Sequence, residues 1–211
     1  MRSPLSTRPR PRPVRLAGVL LAGGIALTAC SGGGEQSATT TSVPADATFN
    51  AADVTFAQGM VPHHEQAVEM AELVPDRSTD PQVLDLAQRI QAAQGPEIEI
   101  LDGWLREWGA TAGGEGVDHS GTDHSGMDQS AMGGMMSEED MTALEGLSGT
   151  EFDRMWLQMM LEHHTGAVGM AQTEIADGED PDALAMAQEI RDSQSAEITE
   201  MEQLLQDLST R

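Results

Sequence analysis

Two pairs of adjacent histidines, His63-His64 and His163-His164, are the residues of this chain best suited to chemistry. Each pair follows a methionine, Met60 or Met160, by three residues and precedes another, Met70 or Met170. Neutral imidazole is a general ligand for late transition metals. Thioether sulfur is soft and favours Cu(I), while carboxylates favour harder ions. On a helix, Met60, His63 and Met70 fall on one stripe, and Met160, His163 and Met170 repeat the relation. Met155, Met159 and Met186 add further sulfur to the second set. Adjacent helical residues project about 100° apart, so one histidine of each pair can face the centre of a helix packing and its neighbour a side groove or a partner helix. Sharing of a single ion by a pair does not follow from adjacency.

Glu97 and Glu197 recur in the same register, each three residues after Gln94 or Gln194. A carboxylate repeated among apolar residues can be a direct ligand or the group that orients an imidazole. A third ligand-rich stretch reads Asp118-His119-Ser120-Gly121, Asp123-His124-Ser125-Gly126-Met127 and Asp128-Gln129-Ser130-Ala131-Met132, followed by Gly133, Gly134, Met135 and Met136. His119, His124, Met127, Met132, Met135 and Met136 make it a secondary copper-attracting segment. Each feature has a plain alternative: a structural histidine, a methionine that fills core space, a linker of biased composition.

The elements that must position these residues are duplicated. Residues 53–105 align with residues 153–205 without a gap, with 19 identities in 53 positions. Apolar positions at helical spacing predict helices over about 53–74, 81–108, 150–177 and 181–208. Asp80-Pro81 and Asp180-Pro181 read as cap and first turn of the second and fourth, and Gly109 as a stop. Residues 75–80 read as a turn. Pro62 and Pro96 fall inside helical patterns, and Pro62 reads as a start or kink just before His63. Ser137 to Asp140 reads as the cap of a short helix. Nothing reads as a strand. The expected fold is all-α: an antiparallel four-helix bundle made of two helix hairpins (repeat one 53–108, repeat two 150–208) in a domain of residues 51–209. The His/Met-rich connection over 111–136 is expected to be a loop with no core of its own.

Residues 1–29 read as an export signal. Arg2, Arg8, Arg10, Arg12 and Arg15 precede a short apolar stretch, and Leu27-Thr28-Ala29-Cys30 resembles a bacterial lipobox. The resemblance implies lipidation of Cys30, the only cysteine, and anchoring outside the cytoplasmic membrane. The plain alternative is an ordinary signal peptide with a stray cysteine. Residues 30–50 read as the anchor and a flexible tether. The formal charge is −24, there is no lysine, and five of the eleven arginines lie in the leader. So acidic a chain is not a nucleic-acid binder, which needs a cationic surface.

The strings Phe56-Ala57-Gln58-Gly59-Met60-Val61-Pro62-His63-His64 and Met159-Met160-Leu161-Glu162-His163-His164, with Leu86-Ala87-Gln88, Gln94, Glu97-Ile98, Gln194 and Glu197, resemble the bacterial domain of unknown function 305 (DUF305) family. The resemblance covers about residues 50–208. It implies a ferritin-like four-helix bundle, export and frequent lipid attachment, with copper binding in some members. Carried onto this chain, it implies His63, His64, His163 and His164 as ligands, with Met60 and Met160 as soft donors. Di-iron bundles place Glu-x-x-His pairs on their helices. No glutamate here has a histidine three residues later, which disfavours iron chemistry.

The sequence therefore reads as an exported, lipid-anchored protein that binds copper, as Cu(I), Cu(II) or both, for buffering, sequestration or hand-over. Another transition metal is compatible with the ligands. No nucleophile constellation or cofactor loop is present, so no enzymatic activity is expected. The competing readings are a di-metal ferritin-like metalloenzyme and a metal-free helical interaction module.

Overall fold

The computed structural model describes residues 47–112 and 133–210, and every regular element among them is α-helical. In chain order these are α1 (Ala51–Glu72), α2 (Val74–Arg77), α3 (Pro81–Glu107), α4 (Glu138–Glu145), α5 (Gly149–Asp177) and α6 (Pro181–Ser209). The leader, Cys30, most of the tether, and His119, His124, Met127 and Met132 lie outside the described residues.

The helix starts follow local capping chemistry. Asn50 and Asp53 form a capping box at α1, and Ser137 with Asp140 forms another at α4. Asp80 and Asp180 cap α3 and α6 ahead of Pro81 and Pro181. Gly109, with φ of 71°, follows the end of α3. Two expectations change. α1 begins at Ala51 and contains Pro62, so Pro62 does not start the helix and the pattern over 53–74 holds instead. The residues after α1 form the one-turn helix α2, with Pro75 in the first turn, where no amide donor is required.

α1 packs on α3, α5 on α6, and α1 on α5. The core falls into two apolar clusters. One joins Met70 and Val74 of α1–α2, Leu86 and Ile90 of α3, Phe152, Trp156 and Met160 of α5, and Met201 and Leu208 of α6, with Met141 and Leu144 of α4 laid over it. The other joins Phe56 and Met60, Leu101 and Leu105, Ala167 and Ala171, and Met186 and Ile190. Along all four long helices the residues between these clusters are polar and buried: His63 and His64, Gln94, His163 and His164, and Gln194. The fold thus carries a polar layer between two apolar ends.

Candidate functional site

All four histidines are buried, none more than 1 % exposed. Their 100° offset decides what each meets. His63 and His163 face one another across α1 and α5, with ring centroids 3.7 Å apart. Their neighbours turn towards the outer helices. His64 Nε2 lies 2.7 Å from Glu97 Oε2 on α3, and His164 Nε2 lies 2.8 Å from Glu197 Oε2 on α6. Each carboxylate is close enough to accept the imidazole N–H. Glu197 also has Arg89 of α3 at 4.0 Å, which ties the two outer helices together.

Burial pushes the His63 imidazole down to about 4. The Gly133 carbonyl opposes this, and the imidazoles of His64 and His164 add to it. Burial likewise lowers His163 well below the ordinary histidine range, and its three histidine neighbours lower it further. Both rings are therefore neutral near pH 7, the form that binds metal. The Nδ1 atoms of all four histidines are buried without a partner in hydrogen-bonding geometry, and so is His163 Nε2. Buried polar atoms left unpaired cost about 1–3 kcal/mol each, so a layer with this many orphaned nitrogens calls for a ligand. A soft or borderline cation fits that donor set.

The methionines divide between the ends. Met60 belongs to one apolar cluster, with Met170 packed against it, and Met160 and Met70 belong to the other. Thioethers thus occur in the clusters on both sides of the histidine layer. Among the described residues no group of three or more His, Cys, Asp or Glu side chains converges as a metal cage. Nitrogen and sulfur donors together are what the layer can offer.

Three contributors escaped the sequence reading. The segment Gly133–Met136, expected as part of a loop without a core, is docked: His63 Nε2 lies 2.8 Å from the Gly133 carbonyl. Gln66 holds Met136 through both of its amide atoms, at 2.7 and 2.9 Å. Met135 and Met136 are half-buried there, and Met136 packs against the first cluster. Gly166 is the third, since a Cβ on it would overlap the Gly133 carbonyl. The available signal was a pair of breaks in the repeat, Gln66 opposite Gly166 and Glu65 opposite Thr165.

An all-helical domain with a layer of buried imidazoles, two of them held by half-buried carboxylates, is the class that these features define. Residues 53–205 match the domain of unknown function 305, and the chain belongs to the DUF305 family. A presumptive secreted DUF305 protein from Streptomyces coelicolor is 32% identical, with a TM-score of 0.63 over 75% of this chain and 94% of that one. A DUF305 fragment from Deinococcus radiodurans is 30% identical, with a TM-score of 0.64 over 75% and 97%. CopM in its Cu(II)-bound form is 31% identical, with a TM-score of 0.61 over 74% and 96%, and CopM has also been solved with Cu(I) and with silver. No curated protein sequence matches the chain. Among the described residues no helix is long and apolar enough to cross a membrane.

Proposed function

We propose that this protein binds copper in its histidine layer, as an exported lipoprotein that buffers, sequesters or hands on the metal. The observation that carries the reading is the set of four buried histidines whose Nδ1 atoms lack partners, three of them held through Nε2 by an acceptor. An imidazole that donates from one nitrogen to a carboxylate or carbonyl presents the lone pair of the other, and such outer partners orient metal-binding histidines. In this reading Glu97 and Glu197 orient His64 and His164. His63, His64, His163 and His164 supply nitrogen, and Met60 and Met160 supply sulfur from opposite sides. Copper is cargo here. Bound Cu(I) would take the soft sulfur with imidazole, and Cu(II) the imidazole nitrogens. The likeness to CopM supports the metal, and the lipobox-like segment ending at Cys30 supports the anchor.

The architecture we read from the clusters is an antiparallel four-helix bundle, ferritin-like in outline, built from two duplicated hairpins. The first cluster combines the C-terminal ends of α1 and α6 with the N-terminal ends of α3 and α5, and the second combines the N-terminal ends of α1 and α6 with the C-terminal ends of α3 and α5, the pattern of two antiparallel hairpins.

The test is a Cu(I) titration against a competing chelator, with the protein lacking residues 118–132 so that His119 and His124 cannot contribute. Replacing His63 and His64 by alanine, or His163 and His164, is expected to weaken binding at least tenfold. For one shared site the combined variant loses less than the sum of the two. Unchanged affinity in both variants, with helicity intact, refutes the proposal.

A further inference from the structure

The described end of the His/Met-rich connection is built into the histidine layer on one side only. Four features converge on residues 133–136. The Gly133 carbonyl meets His63 Nε2 at 2.8 Å. Gln66, one helical turn from His63, both donates to the Met136 carbonyl and accepts from its amide. Gly133 and Gly134 take φ of 61° and 83°, a left-handed backbone that side chains other than hydrogen rarely allow. A Cβ on Gly134 would lie 2.6 Å from the Glu162 carbonyl, and one on Gly166 would overlap Gly133. The repeat is broken where this strap needs it broken. Copy one has Gln66 to grip it, and copy two has Gly166 to make room for it.

A peptide carbonyl only accepts hydrogen bonds, so the nitrogen facing it must carry the proton. The strap therefore does for His63 what Glu97 does for His64. Among the described residues His163 has neither a carboxylate nor a strap carbonyl in hydrogen-bonding geometry on either nitrogen, and only the His63 backbone acts on it.

We infer that the Gly133–Met136 strap is a positioning element for His63, holding its Nε2–H tautomer and leaving Nδ1 as the metal-facing nitrogen, with Gln66 and Gly166 as the residues that seat it. The metal in this statement rests on the function proposed above, whereas the tautomer and its dependence on the strap do not. The strap makes the two halves unequal. His63 is pre-oriented by the strap and His163 has no matching strap, so a symmetric pair of equal sites is not expected.

The experiment uses the mature chain and its Gly166→Ala, Gln66→Ala and Gly169→Ala variants. Gly169 is the control, because a Cβ there meets nothing within 4 Å. Long-range 1H–15N spectra of the metal-free histidine rings report the tautomers, and hydrogen exchange reports the Met136 amide. Wild type and Gly169→Ala should show the Nε2–H form of His63 and a protected Met136. Gly166→Ala and Gln66→Ala should lose both and keep the His64 signal. Cu(I) affinity, read by chelator competition, should fall by about ten- to a hundredfold in the two strap variants, as for loss of other outer partners of metal-binding histidines. Loss of Met136 protection with an unchanged His63 tautomer overturns the inference. If the wild type binds no Cu(I), the proposed function fails, while the tautomer spectra still decide the role of the strap. Should Gly166→Ala fail to fold, Gln66→Ala carries the test, because it removes two hydrogen bonds without introducing a clash.

Discussion

The two ends of the seam between α1 and α5 carry residues that align with one another in the sequence but differ in how they are filled. At one end, Phe152, Met155, Trp156 and Met159 of α5 meet Met70, Leu73 and Val74, with α4 laid over them. Trp156 also donates its indole N–H to the Met70 carbonyl at 2.9 Å. The repeat maps these residues onto Ala52, Thr55, Phe56, Gly59, Met170, Thr173 and Glu174, and at that end they line a hollow of about 500 Å³. Most positions are smaller in the hollow copy, and one apolar residue, Val74, is replaced by an acid. The histidine layer between the ends kept His63/His163, His64/His164, Gln94/Gln194 and Glu97/Glu197. Apolar filling tolerates drift as long as total burial suffices, whereas a polar layer whose members hydrogen-bond one another does not.

Breaking the filled end should have the largest effect. Trp156→Ala leaves a cavity and orphans the Met70 carbonyl, and it is expected to cost about 3–5 kcal/mol. Phe56→Ala, at the matching position, should cost clearly less, because one side of its ring already borders open space. Urea unfolding of both variants checks the comparison, and equal losses would mean that the hollow is better packed than its lining indicates.

The acid at the hollow end gives an effect of intermediate size with a pH signature. Glu174 is 1 % exposed, and Gly178 leaves the room that its carboxyl occupies. Burial pushes it up to about 8, with Asp53, Asp180 and Asp177 adding to the rise. Burial works to raise Asp53 too, but Glu174 and the amides of Asn50, Asp180 and Glu179 outweigh it and hold Asp53 low. Glu174 is thus the protonated member of the pair near pH 7. Between the ordinary glutamate range and about pH 8 the unfolded chain has released this proton and the folded chain has not. Stability contributed by the group therefore falls as pH rises through that window and levels off above it. Asp53 acts in the opposite sense, its contribution being lost only as pH falls through the carboxylate range. Glu174→Val, which copies Val74, should raise stability at pH 8 by roughly 1–3 kcal/mol and flatten the slope between pH 5 and 8. Thermal unfolding across that range decides it, and an unchanged slope would remove Glu174 as its source.

The smallest expected effect sharpens the comparison from the other side. A Cβ on Gly59 would meet only the Met170 sulfur, at 3.4 Å, which is the flexible end of a side chain. Gly59→Ala should stabilise by about 0.5–1 kcal/mol through helix propensity alone. A loss in the same denaturation experiment would show that the close approach at Gly59 is required.

Much of this could be read from residue order. The helices, their capping by Asp80, Ser137 and Asp180, the stop at Gly109 and the duplicated histidines with Glu97 and Glu197 follow from periodicity and local hydrogen-bonding chemistry, which act over three or four residues. The short helix after α1 was not legible, because Pro75 and Asp76 suit a plain turn as well as a helical one. Tertiary structure alone decided that the His63 ring meets the His163 ring while His64 and His164 turn to carboxylates. It also decided that the methionines separate into opposite clusters, that Gly133–Met136 reaches back to His63 and Gln66, and that Glu174 is buried beside Asp53. These contacts join residues about 30 to 120 apart. Helical periodicity states which face of a helix is buried, but not which side chain of another helix it meets. That depends on how the helices are rotated and offset against one another, and so on the sum of all the packing.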